Sequence, residues 1–341
     1  MQKTMKEVML YEKQDLRLVE SPVPKCGPTD VLLKIRACAI CPTDLRKYAF
    51  GKIGSPLLHL PMNMGHEWTG DVIETGQYVS YPKVRMRVCA VGFLGYAEYG
   101  LINVLSPGVP GMPTRRGSVP RSLEELFVPL SDNVSYEEGT FVENITICMH
   151  AIIDQANIGV GKTVVIIGAG QMGLTHIMIS KLIGARVIVS ELIDWRRELA
   201  KKYGADYVID ASKEDPVKEV EKITNGAMAD GAIITVGVPA AIYHGLNVLG
   251  RGGRAVLFGG ATLDTTITFN PNLIHYGDRG LVGCSYGGPW RGRLAIDLIA
   301  SKKIPVKGLY THTFKLEELP DAFKKITKNN LSGYLKGMVI P

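Results

Sequence analysis

Gly159-Val-Gly-Lys-Thr-Val-Val-Ile-Ile-Gly-Ala-Gly-Gln-Met-Gly173 carries two nucleotide-binding signatures end to end, and only one of them fits its surroundings. Gly159-Val-Gly-Lys-Thr163 has the ending of a phosphate-binding loop. Such a loop needs a glycine where Ala156 stands, and it must follow a strand. Here the apolar run Val164–Ile167 comes after it, so a backbone cradle at Lys162 would face the wrong end of the strand. The second portion, Gly168-Ala-Gly-Gln-Met-Gly173, meets its requirements. A short β-branched run, the mark of a strand buried on both faces, leads straight into it. Gly168 allows the tight turn, Gly170 lets a pyrophosphate approach the backbone, and Gly173 lets the following helix pack closely. The spacing predicts that helix over 171–183, stopped by Gly184. Anionic phosphate suits its N-terminus, where N–H groups are unpaired. A second strand, 186–190, ends at Glu191, roughly 20 residues beyond Gly170, where an acid can hold an adenosine ribose.

Outward from this turn, strands are expected at 164–167, 186–190, 207–209, 231–236, 254–259 and 279–285. Helices at 194–203 and 240–249 are closed by Gly204 and Gly250. Six strands separated by helices imply a doubly wound sheet. The first 150 residues read differently. Val31, Leu33, Ile35, Ala37 and Ala39 alternate with Lys34 and Arg36, as in an antiparallel strand with one face exposed. Ser106–Pro120 is dense in proline and glycine and reads as a surface loop. The tail from about 286 carries an amphipathic helix over 316–327 and a terminal strand.

The 341 residues, 46% of them hydrophobic, suffice for two cores. A net charge of +6 with no basic run argues against nucleic acid as partner. No apolar segment reaches the roughly 18 residues of a membrane span, and the N-terminus lacks a signal-length apolar core. Six scattered cysteines make no disulfide framework, and a soluble cytoplasmic protein is expected. Cys38 and Cys41 form a lone C-x-x-C without a second pair. Cys89, Cys148 and Cys284 read as small buried hydrophobes, and His59, His150 and His176 as packed or surface histidines.

Three segments hold the groups suited to metal chemistry: Cys41-Pro-Thr-Asp-Leu-Arg46, Gly65-His-Glu-Trp-Thr-Gly70 and Phe141-Val-Glu-Asn144. Thiolate, imidazole and carboxylate are all zinc donors, and three protein donors with one open position define a catalytic zinc site. With C-x-T-D-L at 41–45, G-H-E-x-x-G at 65–70, G-x-G-x-x-G at 168–173 and the acid at 191, in that order, essentially the whole chain resembles the zinc-dependent medium-chain dehydrogenases. The polyol, threonine and butanediol dehydrogenase branch is the most similar. The resemblance implies a GroES-like β-rich catalytic domain at 1–144 and 286–341, and a Rossmann NAD-binding domain at 145–285. It implies Cys41, His66 and Glu143 as zinc ligands, with Asp44 orienting His66 and Glu67 beside the metal, assisting ligand exchange. Thr43 would hydrogen-bond the substrate hydroxyl, Met172 would back the nicotinamide, and Glu191 and Arg196 would reach the ribose. The implied reaction moves a hydride between a secondary alcohol or polyol and NAD, with NADP the less favoured cofactor. A homodimer or homotetramer is expected.

The chain departs from that pattern in three places. No cysteine lies between Gly92 and Glu125, where many members bind a structural zinc, so one catalytic zinc per chain is expected. Arg85-Met86 replaces the usual Gly-Asp. Arg46 replaces a histidine that ends a proton relay, and arginine cannot act as a base at neutral pH. Tyr286, Trp290 and Arg291 resemble the substrate-pocket segment. The rival readings are a zinc-free quinone or enoyl reductase of the same fold and a non-catalytic dinucleotide-binding protein. The combined presence of Cys41, His66 and Glu143 argues against the first, and the second would bind NAD(H) without turning over any alcohol.

Overall fold

A computed structural model of the chain describes residues 3–51, 60–90, 94–105, 122–285, 287 and 289–341. The expected loop at 106–120, His59 and Tyr286 lie outside the described residues. The chain divides into two units, Met1–Glu143 with Gly288–Pro341, and Asn144–Gly287. No helix among the described residues is long and apolar enough to cross a membrane.

In the second unit, six parallel strands lie in the order Tyr207–Asp210, Arg186–Glu191, Thr163–Ile167, Ala229–Ile234, Leu249–Leu257 and Gly280–Gly283. Val164, Val165 and Ile166 in the middle are wholly buried, which explains their unbroken apolar run. The strand expected at 254–259 begins earlier, at Leu249. Gly250, expected to close the helix 240–249, instead lies in this strand, which joins the sheet through an irregular register with Ala229–Ile234. The three fingerprint glycines have separate physical reasons. Gly168 has φ +95°, and a Cβ there would meet Thr235 Oγ1 at 2.5 Å. A Cβ on Gly173 would meet the Gly168 carbonyl at 2.0 Å, whereas Gly170 faces open space at the start of the helix Gln171–Leu182. Lys162, from the rejected phosphate loop, pairs instead with Asp230 at 2.8 Å.

In the first unit, the hairpin Thr4–Glu12 and Asp15–Pro22 precedes a seven-stranded sheet. That sheet runs His312–Phe314, Gly337–Val339, Asp30–Ala39, Glu67–Thr75, Arg87–Ala90 and Phe127–Pro129, with Tyr99–Asn103 also pairing with Asp30–Ala39. The central strand corrects the expected half-exposed alternation. Leu32 is as buried as Leu33, packed with Met5, Ala97 and Tyr99 on the second face. A register shift between Ile35 and Ala37 then reverses the alternation. Val31, Leu33 and Ile35 enter the main core before it, Cys38 and Ile40 after it. Cys38, which simple alternation would place on the polar face with Lys34 and Arg36, is therefore buried and free of disulfide. The helix expected over 316–327 begins at Leu319, after a short 3₁₀ turn. Pro320 explains the start, since proline is tolerated only in the first turn. Arg85, where the family pattern leads one to expect glycine, has φ 74°, the left-handed region in which glycine is the unstrained residue.

His176, on the helix Gln171–Leu182, is wholly buried and meets Phe258 edge to face at 4.6 Å. Neither ring nitrogen has a hydrogen-bond partner, and burial drives its pKa from 6.5 to about 3. The neutral ring is thus the folded form, so its contribution is fully present above pH 6.5 and is lost as pH falls toward 3. Each pH unit in that window removes about 1.4 kcal/mol. Urea unfolding measured from pH 7 to 4 should show His176→Leu losing stability less steeply than the parent. Parallel curves would refute the assignment.

Candidate metal centre

Local chemistry dictates how Cys41 is presented. Cys41 caps the helix Pro42–Phe50, with Pro42 in its first turn. The Asp44 side chain accepts from the Cys41 N–H at 3.4 Å, and the Thr43 N–H donates to Cys41 Sγ at 3.5 Å. Cys-Pro-Thr-Asp is therefore a helix start as well as a donor site. His66 sits between Gly65 and the strand Glu67–Thr75. Gly65 has φ +78°, and a Cβ there would strike the Tyr96 ring and Cys38 Sγ. A Cβ on Gly70 would lie 2.5 Å from the Lys34 carbonyl. Both glycines of G-H-E-x-x-G are thus demanded by close packing.

The sheet brings these segments to one edge. Ala39, two residues before Cys41, pairs with Glu67 on one side and Met338 on the other. Donor atoms of Cys41, His66 and Glu67 all lie within 4.8 Å of one another. Glu143, half-buried in the first turn of the helix Val142–Met149, does not belong to this group. His66 Nδ1 faces the buried Asp44 Oδ1 at 3.3 Å, and the Tyr96 hydroxyl donates to Asp44 Oδ2 at 2.9 Å. A proton on Nδ1, held by Asp44, leaves Nε2 as a lone-pair donor, the arrangement common to metal-binding histidines.

The charges in this pocket are strongly coupled. Burial raises the Cys41 thiol, and Glu67 adds to the rise while His66 opposes it. Burial works against charge on His66, but Asp44 and Cys41 outweigh it and hold its pKa well above the usual value. Asp44 is held low despite its burial, by His66, Lys47 and Tyr96. Burial brings Lys47, one helical turn after Asp44, down to about 8. Lys336 Nζ lies 2.6 Å from Glu67 Oε2, and both side chains are buried. Neither lysine belongs to a sequence motif, and each was missed on that account. The only sequence signal for Lys336 is a lone cation in the apolar tail Gly333-Tyr-Leu-Lys-Gly-Met-Val-Ile340.

Thr43 and Arg46 are half-buried on the same helix as Asp44. Trp290 and Arg291 form the short 3₁₀ turn Pro289–Arg291. In the second unit, Glu191 is locked onto the glycine turn. Its carboxylate accepts from the N–H groups of Ala169, Leu192 and Ile193 at 2.7, 2.7 and 2.9 Å. Arg196 lies over the Trp195 ring, 5.2 Å from its centroid. Arg197 is committed to Asp194 and Asp210 at 2.9 and 3.0 Å. Met172 occupies the first turn of the helix Gln171–Leu182, half-buried, where its carbonyl faces the Cys148 thiol.

Residues 27–118 match the alcohol dehydrogenase GroES-like domain, and residues 172–301 match the zinc-binding dehydrogenase family. Sorbitol dehydrogenase of Homo sapiens is 32% identical over 335 residues, covering 94% of this chain and 92% of the relative. The Bos taurus enzyme is 33% identical, with 94% and 92% covered. Among solved structures, 2R,3R-butanediol dehydrogenase from Bacillus subtilis superposes with a TM-score of 0.83 at 26% identity, covering 99% of each chain. A zinc-binding dehydrogenase from Sinorhizobium meliloti, bound to NADP, gives 0.84 at 25% identity, with full coverage of both chains. The chain belongs to the zinc-dependent medium-chain dehydrogenase family, in its alcohol and polyol dehydrogenase branch.

Proposed function

We propose that this chain is a zinc-dependent polyol dehydrogenase that passes a hydride between a secondary alcohol or polyol and NAD. The carrying observation is the buried cluster of Cys41, His66 and Glu67, with Asp44 behind the imidazole. A zinc-free reductase or a non-catalytic binder has no use for such a donor set. The substrate class follows the sorbitol and butanediol dehydrogenases to which the chain is similar.

Cys41 and His66 would hold one zinc in this reading, with Glu143 as the carboxylate ligand that the family pattern implies and Glu67 beside the metal, assisting ligand exchange. When bound, the metal supplies Lewis acidity toward the substrate hydroxyl. Asp44 fixes the His66 ring and its tautomer. The Thr43 hydroxyl takes the substrate proton while passing its own onward, to the cofactor ribose or to water. Arg46 remains charged and serves binding, not proton transfer. Gly170 leaves the helix N-terminus open to pyrophosphate, Glu191 and Arg196 address the ribose, and Met172 backs the nicotinamide. The cofactor itself supplies the hydride chemistry.

Glu191 favours NAD, because a carboxylate anchored at the strand end repels a 2′-phosphate. The neighbouring Arg196 and Arg197 argue the other way, since an arginine can accommodate that phosphate, but Arg197 is already paired with Asp194 and Asp210. The NADP bound to the Sinorhizobium protein makes this a point to measure.

Elemental analysis should give about one zinc per chain, with Cys41→Ser losing metal and activity together while retaining NADH binding. Two tightly held zinc ions, or none after zinc-supplemented expression, would contradict the single-site reading. Steady-state kinetics should give a higher kcat/KM with NAD than with NADP, and parity would overturn the role given to Glu191. Thr43→Val should lower kcat by about a hundred-fold or more, the scale of a positioned proton-transfer group. Arg46→His should change KM more than kcat. Near-normal turnover in Thr43→Val would show that the proton leaves by another route.

A further inference from the structure

The helix Pro42–Phe50 carries two cations, Arg46 and Lys47, and Lys47 has no part in the reaction described above. It stands in the last turn, where an exposed lysine is an ordinary partner for the helix dipole. That role asks for no burial. Lys47 is nonetheless only 2% exposed, with its ammonium closed off from solvent. Burying a charge is costly, and a surface lysine would serve the dipole as well.

Helix geometry says which way both cations lie. Thr43, the group proposed to contact the substrate hydroxyl, precedes Arg46 by three residues and Lys47 by four. Residues at those spacings are neighbours on one helix face, with Cβ atoms roughly 5–6 Å apart. Every Cβ in a helix also tilts toward the N-terminus, so long side chains at 46 and 47 lean back toward Thr43 and Cys41. The electrostatics agree with that direction. Burial lowers the pKa of each cation, and the Cys41 sulfur opposes the fall in both. A guanidinium and an ammonium therefore flank the position from which Thr43 would meet a substrate.

We propose that Arg46 and Lys47 select an anionic substrate, a secondary alcohol or polyol that carries a carboxylate or phosphate a few bonds from the reacting carbon. The inference rests on the dehydrogenase function proposed above and narrows its substrate class. A neutral polyol offers these cations only hydroxyl oxygens. An anionic group receives charge-assisted hydrogen bonds, roughly twice as strong. Arg46 supplies a planar fork that fits two oxygens of one group, and Lys47 supplies a compact point charge.

The test measures kcat/KM of the purified, zinc-loaded full chain with saturating NAD. The substrates are neutral polyols, their terminal phosphate esters and the matching hydroxy acids, in both configurations at the reacting carbon. On a given carbon skeleton the charged form should exceed the neutral one by about a hundred-fold or more, the scale of two hydrogen bonds to charged groups. Whichever of phosphate and carboxylate leads identifies the anion, and either result supports the inference. Lys47→Gln and Arg46→Gln should each lower the charged-to-neutral ratio by about ten-fold or more, mainly through KM. Lys47→Arg should keep most of the parent ratio. Arg46→Gln, at a half-buried position, keeps the test decisive if Lys47→Gln does not fold. A lysine that serves only as counter-ion to Asp44 would change charged and neutral substrates alike, and that outcome overturns the inference. Turnover of neutral polyols with no gain from an anionic group overturns it too, while leaving the dehydrogenase function standing. Failure to turn over any alcohol overturns both.

Discussion

The pairing of Ala39 with Glu67 on one flank and Met338 on the other is the constraint from which the metal centre follows. The strand Asp30–Ala39 ends just before Cys41, and both neighbours run antiparallel to it. The end of one strand and the starts of two others therefore meet at one sheet edge. Cys41, His66 with Glu67, and Lys336 come from distant parts of the sequence, yet each lies within two residues of that edge. The register shift between Ile35 and Ala37 matters here as well. Without it Cys38 and Ile40 would point away from the main core, and the end of the strand would present Cys41 differently.

That edge concentrates charge in an apolar setting. Cys41, Asp44 and Glu67 can each be anionic, and Lys47, Lys336 and His66 balance them. Burying an ion costs several kcal/mol even after relaxation, so such a group persists where pairing and hydrogen bonds compensate it. Asp44 shows the pattern in full, held by Tyr96, by His66 and by the cap it makes on the Cys41 N–H. The same aspartate starts a helix and fixes a histidine tautomer. A substitution there would damage both the fold and the site.

Where a residue's role is local, the sequence showed it. Gly168 and Gly173 are needed for a turn and a helix contact inside one βα unit, and Glu191 closes the next strand onto that same turn. Cys-Pro-Thr-Asp was legible for its thiol, whereas the helix it starts required the structure. Features set by distant pairing were hidden. The burial of Leu32 and Cys38 depends on a second covering layer and a bulge, neither visible in alternation alone. The approach of Glu67 to Cys41 and His66 is likewise a matter of sheet register. Lys336 belongs to no motif, and only the path of the C-terminal strand gives it meaning. Arg85 is an intermediate case. The departure from glycine was evident, but that Arg85 stands in a left-handed backbone, where glycine is the unstrained residue, required the structure.

The central claim is that one thiolate and one imidazole at this sheet edge anchor a catalytic metal. X-ray absorption at the zinc K edge of the purified protein tests it most directly, because sulfur scatters at about 2.3 Å and nitrogen or oxygen nearer 2.0–2.1 Å. The account requires a single sulfur in the zinc shell with the remaining ligands nitrogen or oxygen, and loss of that sulfur signal in Cys41→Ser. A shell without sulfur, or one with several sulfurs, would contradict it.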